Sequence, residues 1–167
     1  ITYVVENMRD GGSFSTRRVT AQQNGVSIFV MTASFQKLEE GFNHSSPFPE
    51  NVSYPEDLPT WQDRLRPIMN VIDEETQKWL VWDRPIDTRS ATAPAWVANE
   101  KQDPSQDVWF KADGKLSDDP LIHKCILTYA SDLTLLDTAM LPYGEVLYRG
   151  KFMMASLDHA IWFHEPF

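Results

Sequence analysis

The sequence predicts an α+β fold in which antiparallel strands pack against one long helix. Residues 1–36 alternate polar and apolar positions between turn signals, which is typical of an antiparallel meander. Residues 120–138 instead repeat apolar positions every three to four residues, which is typical of a buried helix. Because a meander with one apolar face needs a covering layer, the two patterns fit a single sheet-and-helix architecture.

The meander is predicted to contain strands over residues 3–7, 14–23 and 26–36. An Asp-Gly-Gly run at residues 10–12 supplies the first turn. Asn24-Gly25 supplies the second, since the tight hairpin turn needs positive φ at both of its central positions. The chain opens without Met in a strand-like run and closes directly after another. We therefore expect an internal segment, with elements that complete its sheets lying on both sides.

Residues 45–78 contain five of the eleven prolines and are predicted to form a linker. Short helices are predicted within it, over residues 61–65 and 73–79, and Pro67 should interrupt any longer helix. Further strands are predicted over residues 79–82, 85–89 and 107–112, which are rich in aromatic and β-branched side chains.

The long helix is predicted over residues 120–138. Asp118 or Asp119 is a suitable N-cap, and Pro120 suits the first helical position. The apolar stripe consists of Ile122, Ile126, Tyr129, Ala130, Leu133 and Leu136. A long strand is predicted over residues 152–163. A buried helix wrapped by antiparallel strands is the hot-dog arrangement, although a generic α+β sandwich would give the same pattern.

Composition excludes several classes of protein. With 24 acidic and 15 basic residues the net charge is −9, which opposes general binding to nucleic acids. No run approaches the roughly 18 apolar residues of a membrane span. The single cysteine, Cys125, cannot form an intramolecular disulfide, and we expect it to be buried. His159 and His164 would point to opposite faces of a strand, so we interpret them as structural or interface residues rather than metal ligands.

Six segments, in order and at suitable spacing, resemble the acyl-CoA thioesterase II family of TesB-like and peroxisomal enzymes. They are residues 12–19 (GSFSTRRV), 23–36 (with QNG, IF and TASFQ), 40–44 (EGFNH), 83–85 (DRP), 129–133 (YASDL) and 156–164 (SLDHAIWFH). The resemblance implies a double hot-dog, each half only partly present. Residues 1–44 would be the C-terminal strands of the first hot-dog, 45–78 the linker, and 79–167 the first strands and central helix of the second.

The same resemblance implies a reaction. The family hydrolyses fatty acyl-CoA with water held by an aspartate, a threonine or serine, and a glutamine, without a cofactor or metal. Asp132 and Ser156 fall on the first two positions, and the glutamine is expected beyond Phe167. We expect burial in the helix to raise the pKa of Asp132 and suit it to act as a base. Ser156 lacks a Gly-x-Ser-x-Gly context, which excludes an α/β-hydrolase nucleophile. A homo-oligomer is implied, cytoplasmic in bacteria or peroxisomal in eukaryotes.

Two alternatives stay open at this point. Asp118 and His123 have the five-residue separation of the motif in hot-dog enoyl-CoA hydratases, but the motif's asparagine is absent and its proline is one place early. A hot-dog domain can also bind acyl-CoA, or dimerise, without turnover. Arg17 and Arg18 face opposite sides of a strand, so one is a candidate for the CoA phosphates and the other for a salt bridge.

Overall fold

The structure is a computed structural model that describes residues 1–145 and 152–167. It divides into two compact units, Ile1–Phe48 and Pro49–Phe167. The first unit contains strands β1 (Thr2–Asp10), β2 (Phe14–Gln23) and β3 (Val26–Gln36). The division predicted from the sequence, with hot-dog halves at 1–44 and 79–167 and a linker at 45–78, stays a prediction.

The three strands of the first unit form an antiparallel sheet in the order β1-β2-β3, which confirms the predicted meander. Val19 in the central strand lies opposite Val5 on one side and Met31 on the other. The predicted hairpin is confirmed as well, because Asn24 and Gly25 join β2 to β3 with φ values of 52° and 77°. These are the positive values that a type I′ turn requires.

The second unit mixes short helices with a two-stranded antiparallel sheet. Its elements are α1 (Trp61–Leu65), α2 (Glu74–Leu80), β4 (Ile86–Ser90), β5 (Val108–Ala112), α3 (Pro120–Ser131) and α4 (Leu135–Thr138), with 3₁₀ segments at Pro55–Asp57, Arg66–Val71 and Leu141–Tyr143. Strands β4 and β5 pair from Ile86 opposite Ala112 to Ser90 opposite Val108, as their sequence pattern predicted.

Both short helices in the Pro-rich segment are confirmed, and capping explains where they begin. Thr60 accepts from the Asp63 N–H at 3.2 Å, while the Asp63 carboxylate accepts from the Thr60 N–H at 3.3 Å. This reciprocal arrangement is a capping box. Asp73 caps α2 by accepting from the Thr76 N–H at 2.9 Å. A small core formed by Leu65, Ile72 and Leu80 then fixes the two helices against each other.

The strand predicted over residues 79–82 is wrong. Trp79 and Leu80 form the last turn of α2, and Leu80 is fully buried in the core beside Leu65. A four-residue apolar run carries too little periodicity to separate a buried strand from the end of a helix. The N-cap at Asp73 and the contact of Leu80 with the core favour the helix over the strand.

The helix predicted over residues 120–138 divides into α3 and α4. Asp119 is the N-cap, accepting from the Leu121 N–H at 2.9 Å, and Pro120 occupies the first turn as predicted. Helix α3 then ends at Ser131. The Ser131 hydroxyl donates to the Thr128 carbonyl oxygen at 2.9 Å, and hydroxyls that bond to the preceding turn weaken the helical ladder.

The apolar stripe of this helix is less buried than predicted. Ala130 is buried, but Ile122 is 40% exposed and Tyr129 is 54% exposed. Cys125 is also exposed, so the prediction that it packs in a core is wrong. The reason is that β4 and β5, with five residues each, form too narrow a sheet to wrap a twelve-residue helix.

The strand predicted over residues 152–163 is wrong as well. Residues 152–167 have an irregular backbone and form no ladder with another strand of the described chain. An alternating sequence becomes a strand only when a neighbour pairs with its backbone groups. The segment still has a fixed place in the second unit, because Phe152, Met154 and Ser156 line a cleft there.

Candidate active site

A cleft of about 630 Å³ in the second unit contains both residues that the sequence singled out for catalysis. Its walls are mostly aromatic and aliphatic, with Trp79, Trp82, Trp96, Leu133, Leu136, Phe152 and Met154 among them. Its polar groups are the side chains of Asp83, Arg84, Tyr129, Asp132, Asp137 and Ser156. An apolar cleft with a few convergent polar groups is the usual form of a small-molecule site.

Asp132 and Ser156 are in contact in this cleft, although 24 positions separate them in the sequence. The Ser156 hydroxyl donates to Asp132 Oδ1 at 3.1 Å. Asp132 is the C-cap residue of α3, so its carboxylate projects where the helix stops. The pair leaves the second carboxylate oxygen of Asp132 available to accept a hydrogen bond from a third group, such as a water.

The expectation that Asp132 is buried in the helix is wrong, because its side chain is 56% exposed. The cause is the early end of α3, which places residue 132 after the helix instead of within it. The side chain of Asp132 therefore stays in contact with solvent while it lines the cleft.

His159 is the third side chain near this carboxylate. Its Nδ1 lies 3.9 Å from Asp132 Oδ1, and its Nε2 lies 3.1 Å from the hydroxyl of Ser131. The sequence analysis missed this contact, since it assigned His159 a structural or interface role on the assumption that residues 152–163 form a strand. With an irregular backbone, Ser156 and His159 both reach the end of α3.

Arg84 also lines the cleft, and its guanidinium lies over two tryptophan rings. Its guanidinium carbon is 5.2 Å from the ring centroid of Trp61 and 5.1 Å from that of Trp79. Burial lowers the pKa of Arg84, but an arginine keeps its charge at any physiological pH. The sequence pointed to this residue only as part of the Asp-Arg-Pro segment, without a role.

Asp137 is the buried acid of the cleft, with only 7% of its surface exposed. Burial raises its pKa to about 6, against the opposing effects of backbone N–H groups and the Gln106 side chain. One of its carboxylate oxygens, Oδ1, is buried without a hydrogen-bond partner in the described part of the chain. The sequence analysis missed Asp137, although it carries the same signal as Asp132: an acid within an apolar helical run.

The residues of the competing predictions lie elsewhere. His123 Nε2 contacts the Ser117 carbonyl oxygen at 2.9 Å, and neither His123 nor Asp118 lines the cleft. Arg17 pairs with Asp10 at 2.6 Å and Arg18 approaches Glu6 at 3.8 Å, so both predicted arginines face acids of their own sheet.

Within residues 1–145 and 152–167, no three His, Cys, Asp or Glu side chains are grouped to hold a metal ion. No helix in the described part of the chain is long and apolar enough to cross a membrane.

Solved structures assign the fold to the hot-dog class. The chain resembles acyl-CoA thioesterase II TesB2 from Mycobacterium marinum with a TM-score of 0.58 and 37% identity, over 83% of this chain and 46% of that one. It also resembles a hot-dog protein of unknown function from Alicyclobacillus acidocaldarius, with a TM-score of 0.56 and 19% identity over 86% and 47% of the two chains. The predicted α+β hot-dog fold is therefore confirmed.

Family models then identify the family. One, described as acyl-CoA thioesterase, matches residues 82–167, and another, described as the acyl-CoA thioesterase N-terminal domain, matches residues 1–36. The chain belongs to the acyl-CoA thioesterase family.

Curated relatives agree with this assignment. The whole chain is 34% identical to acyl-CoA thioesterase 2 of Haemophilus influenzae, and it spans 58% of that protein. It is also 34% identical to acyl-coenzyme A thioesterase 8 of Mus musculus, of which it spans 54%. The chain thus spans a little over half the length of these relatives.

Proposed function

We propose that the full-length protein hydrolyses fatty acyl-CoA thioesters to a free fatty acid and CoA. The observation that carries the proposal is the 3.1 Å hydrogen bond between Ser156 and Asp132 inside an apolar cleft. Membership of the acyl-CoA thioesterase family supports it, as do the names of the relatives.

The proposed mechanism uses Asp132 as the general base. A water held by Asp132 and Ser156 attacks the thioester carbonyl carbon while its proton passes to the Asp132 carboxylate. The carbonyl electron pair moves onto oxygen and forms a tetrahedral intermediate. When the C=O bond re-forms, the C–S bond breaks and the thiolate of CoA leaves with the bonding pair, taking up the proton that Asp132 received. Cofactors and metals have no part in this scheme.

A third water-holding group is part of the proposal. Asp132 and Ser156 provide one acceptor and one hydroxyl, while a glutamine expected beyond Phe167 supplies an amide. We do not assign this role to a glutamine of the chain itself. Gln36, for example, ends β3 in the first unit and does not line the cleft.

The apolar walls of the cleft suit the acyl chain of the proposed substrate. Aromatic and aliphatic side chains such as Trp96, Leu136 and Phe152 offer an apolar surface for an acyl chain, whose burial yields roughly 0.8 kcal/mol per methylene. Asp132, being largely exposed, then meets the thioester end and solvent water together. We further propose that the protein works as a homo-oligomer in the cytoplasm, or in peroxisomes if its source is eukaryotic.

The decisive test is free-thiol release from palmitoyl-CoA by the full-length protein, followed with a colorimetric thiol reagent, beside an Asp132→Asn variant. Asparagine keeps the size and hydrogen bonding of aspartate but does not take up the proton. We expect kcat to fall by about 10²- to 10⁴-fold, the usual contribution of a general base. Binding of palmitoyl-CoA should persist.

Asp118→Asn is the matched control, because it removes an exposed acid that lies outside the cleft. Its thiol release should equal that of the wild type. The competing hydratase function predicts instead that water adds to crotonyl-CoA and that Asp118→Asn abolishes this addition. Binding of palmitoyl-CoA by a folded protein that never releases thiol would favour the non-catalytic module.

A further inference from the structure

Arg84 has a setting unlike that of the other partly buried arginines of the second unit. Arg64 donates from Nη2 to the Ser90 carbonyl oxygen at 3.0 Å. Arg89 donates from Nη1 to the Pro55 carbonyl oxygen at 2.8 Å. The first bond ties α1 to the end of β4, and the second ties β4 to the 3₁₀ segment at Pro55–Asp57, so both guanidinium groups have a structural role.

The hydrogen bonds and ion pairs of the described residues do not include Arg84. Carboxylates do line the same cleft, at Asp83, Asp132 and Asp137, yet none of their oxygens is within the 4.0 Å of an ion pair with it. Its guanidinium instead lies over the faces of Trp61 and Trp79 and interacts electrostatically with Tyr129, and the ring contacts do not use its N–H donors. Its N–H groups therefore have no acceptor among the described residues and are available to a group that enters the cleft.

The cleft makes such a cation effective. Among the described residues that line it, Arg84 is the one lysine or arginine, and it faces the space that also contains Asp132 and Ser156. An acyl chain seated against the tryptophan and aliphatic walls would displace water from them, which strengthens the attraction between a cation and any negative charge that forms nearby. Donors that are already in place also need no reorganisation when that charge appears.

We propose that Arg84 is a catalytic residue that donates hydrogen bonds to the thioester carbonyl oxygen as that oxygen becomes negative. The inference rests on the proposed thioester hydrolysis. As the water oxygen bonds to the carbonyl carbon, the π electron pair moves onto the carbonyl oxygen, and the guanidinium stabilises this oxyanion. When the pair returns to re-form C=O, the C–S bond breaks and the sulfur departs as thiolate. Arg84 transfers no proton in either direction.

The phosphates of CoA are the other negative groups that an arginine could bind. The planar fork of an arginine also matches phosphate geometry, so the surroundings of Arg84 have to distinguish the two ligands. Arg84 is partly buried over two tryptophan rings, and it shares its cleft with the proposed base, Asp132, and the hydroxyl of Ser156. These features favour the reacting carbonyl.

The experiment compares Arg84→Gln with the wild-type full-length protein on two substrates, palmitoyl-CoA and palmitoyl-N-acetylcysteamine, a thioester that has no phosphate. We expect kcat to fall by about 10²- to 10³-fold on both substrates, with KM nearly unchanged, because the lost interaction exists only in the transition state. Arg84→Lys should recover part of the loss. Arg64→Gln is the matched control: its melting temperature should fall, while kcat at a temperature well below melting stays near wild type.

Three other outcomes would overturn the proposed role of Arg84, and each points to a different explanation. A higher KM for palmitoyl-CoA, with unchanged kinetics on the phosphate-free thioester, would make Arg84 a phosphate ligand. A lower melting temperature with normal kcat on both substrates would make it a packing residue like Arg64. If the wild type itself releases no thiol from either substrate, the proposed function fails, and the role of Arg84 fails with it.

Discussion

Two acids five positions apart, on either side of the break between α3 and α4, have very different exposure to solvent. Asp132 follows the last residue of α3 and keeps its carboxylate largely in water. Asp137 lies in α4, where the chain turns its side chain inward and leaves one oxygen without a partner in the described residues. The break between the two helices therefore yields one hydrated carboxylate and one desolvated carboxyl in the same cleft.

The hydroxyl of Ser156 is predicted to orient water and not to act as a nucleophile. Ser156→Ala removes the 3.1 Å hydrogen bond to Asp132, and we expect kcat to fall by about 10- to 100-fold, since the base itself stays in place. Ser156→Thr keeps a hydroxyl, and the resemblance to the family allows either residue there, so its kcat should stay within a few-fold of wild type.

Single-turnover kinetics with palmitoyl-CoA distinguish this role from covalent catalysis. An acyl-enzyme that accumulates on wild type but not on Ser156→Ala would contradict the orienting role. A Ser156→Thr variant as slow as Ser156→Ala would show that shape, and not the hydroxyl, is what the site needs.

At the scale of elements, the sequence predicts best where the signal is local. The Asn24-Gly25 turn and the N-cap Asp119 each determine the geometry of a few neighbouring positions, and both appear as predicted. Predictions fail where contacts between residues distant in the sequence determine the secondary structure. Trp79 and Leu80 join α2 instead of forming a strand because Leu80 packs against Leu65, fifteen positions earlier, which no local period reveals.

Gly144 shows how a turn after α4 depends on one residue. Its φ is 64°, and a Cβ there would lie 3.0 Å from the Lys101 N and 3.1 Å from the Glu100 carbonyl carbon. Both are backbone atoms that cannot rotate away. We expect Gly144→Ala to lower the free energy of unfolding by about 1–3 kcal/mol, through positive-φ strain and this close approach.

Two glycines separate these causes in denaturant unfolding. Gly114 has φ of 112° with open space around its Cβ position, so Gly114→Ala reports the backbone strain alone. Gly41 has neither feature, and Gly41→Ala should leave stability within about 0.5 kcal/mol of wild type. Equal stability of the Gly144→Ala and Gly41→Ala variants would refute the argument.

For the whole molecule, the sequence identified the pair Asp132 and Ser156 through family resemblance, and the structure places the two in contact. It did not predict the contact of His159 or the burial of Asp137. Both depend on how residues 152–167 and α4 fold back in three dimensions, which a linear pattern does not encode. It also gave no hint that tryptophans from two short helices would enclose Arg84.

The stability of the whole protein should depend on the titration of Asp137. Its pKa is about 6 in the folded state and 3.8 for the ordinary group, because burial penalises the charged form. The folded state therefore holds this proton more tightly than the unfolded state. The cost of ionising the buried carboxyl is absent below about pH 4, grows between pH 4 and 6, and is complete above pH 6. It reaches up to roughly 3 kcal/mol at about 1.36 kcal/mol per pKa unit.

An Asp137→Asn variant lacks this titration, so we expect its stability relative to wild type to rise with pH through the same window. Chemical denaturation at pH 4.5 and pH 7.5 measures the difference, and Asp118→Asn, which removes an exposed acid of the same charge, corrects for net charge. A relative stability of Asp137→Asn that stays constant from pH 4.5 to 7.5 would mean that Asp137 ionises normally in the folded protein.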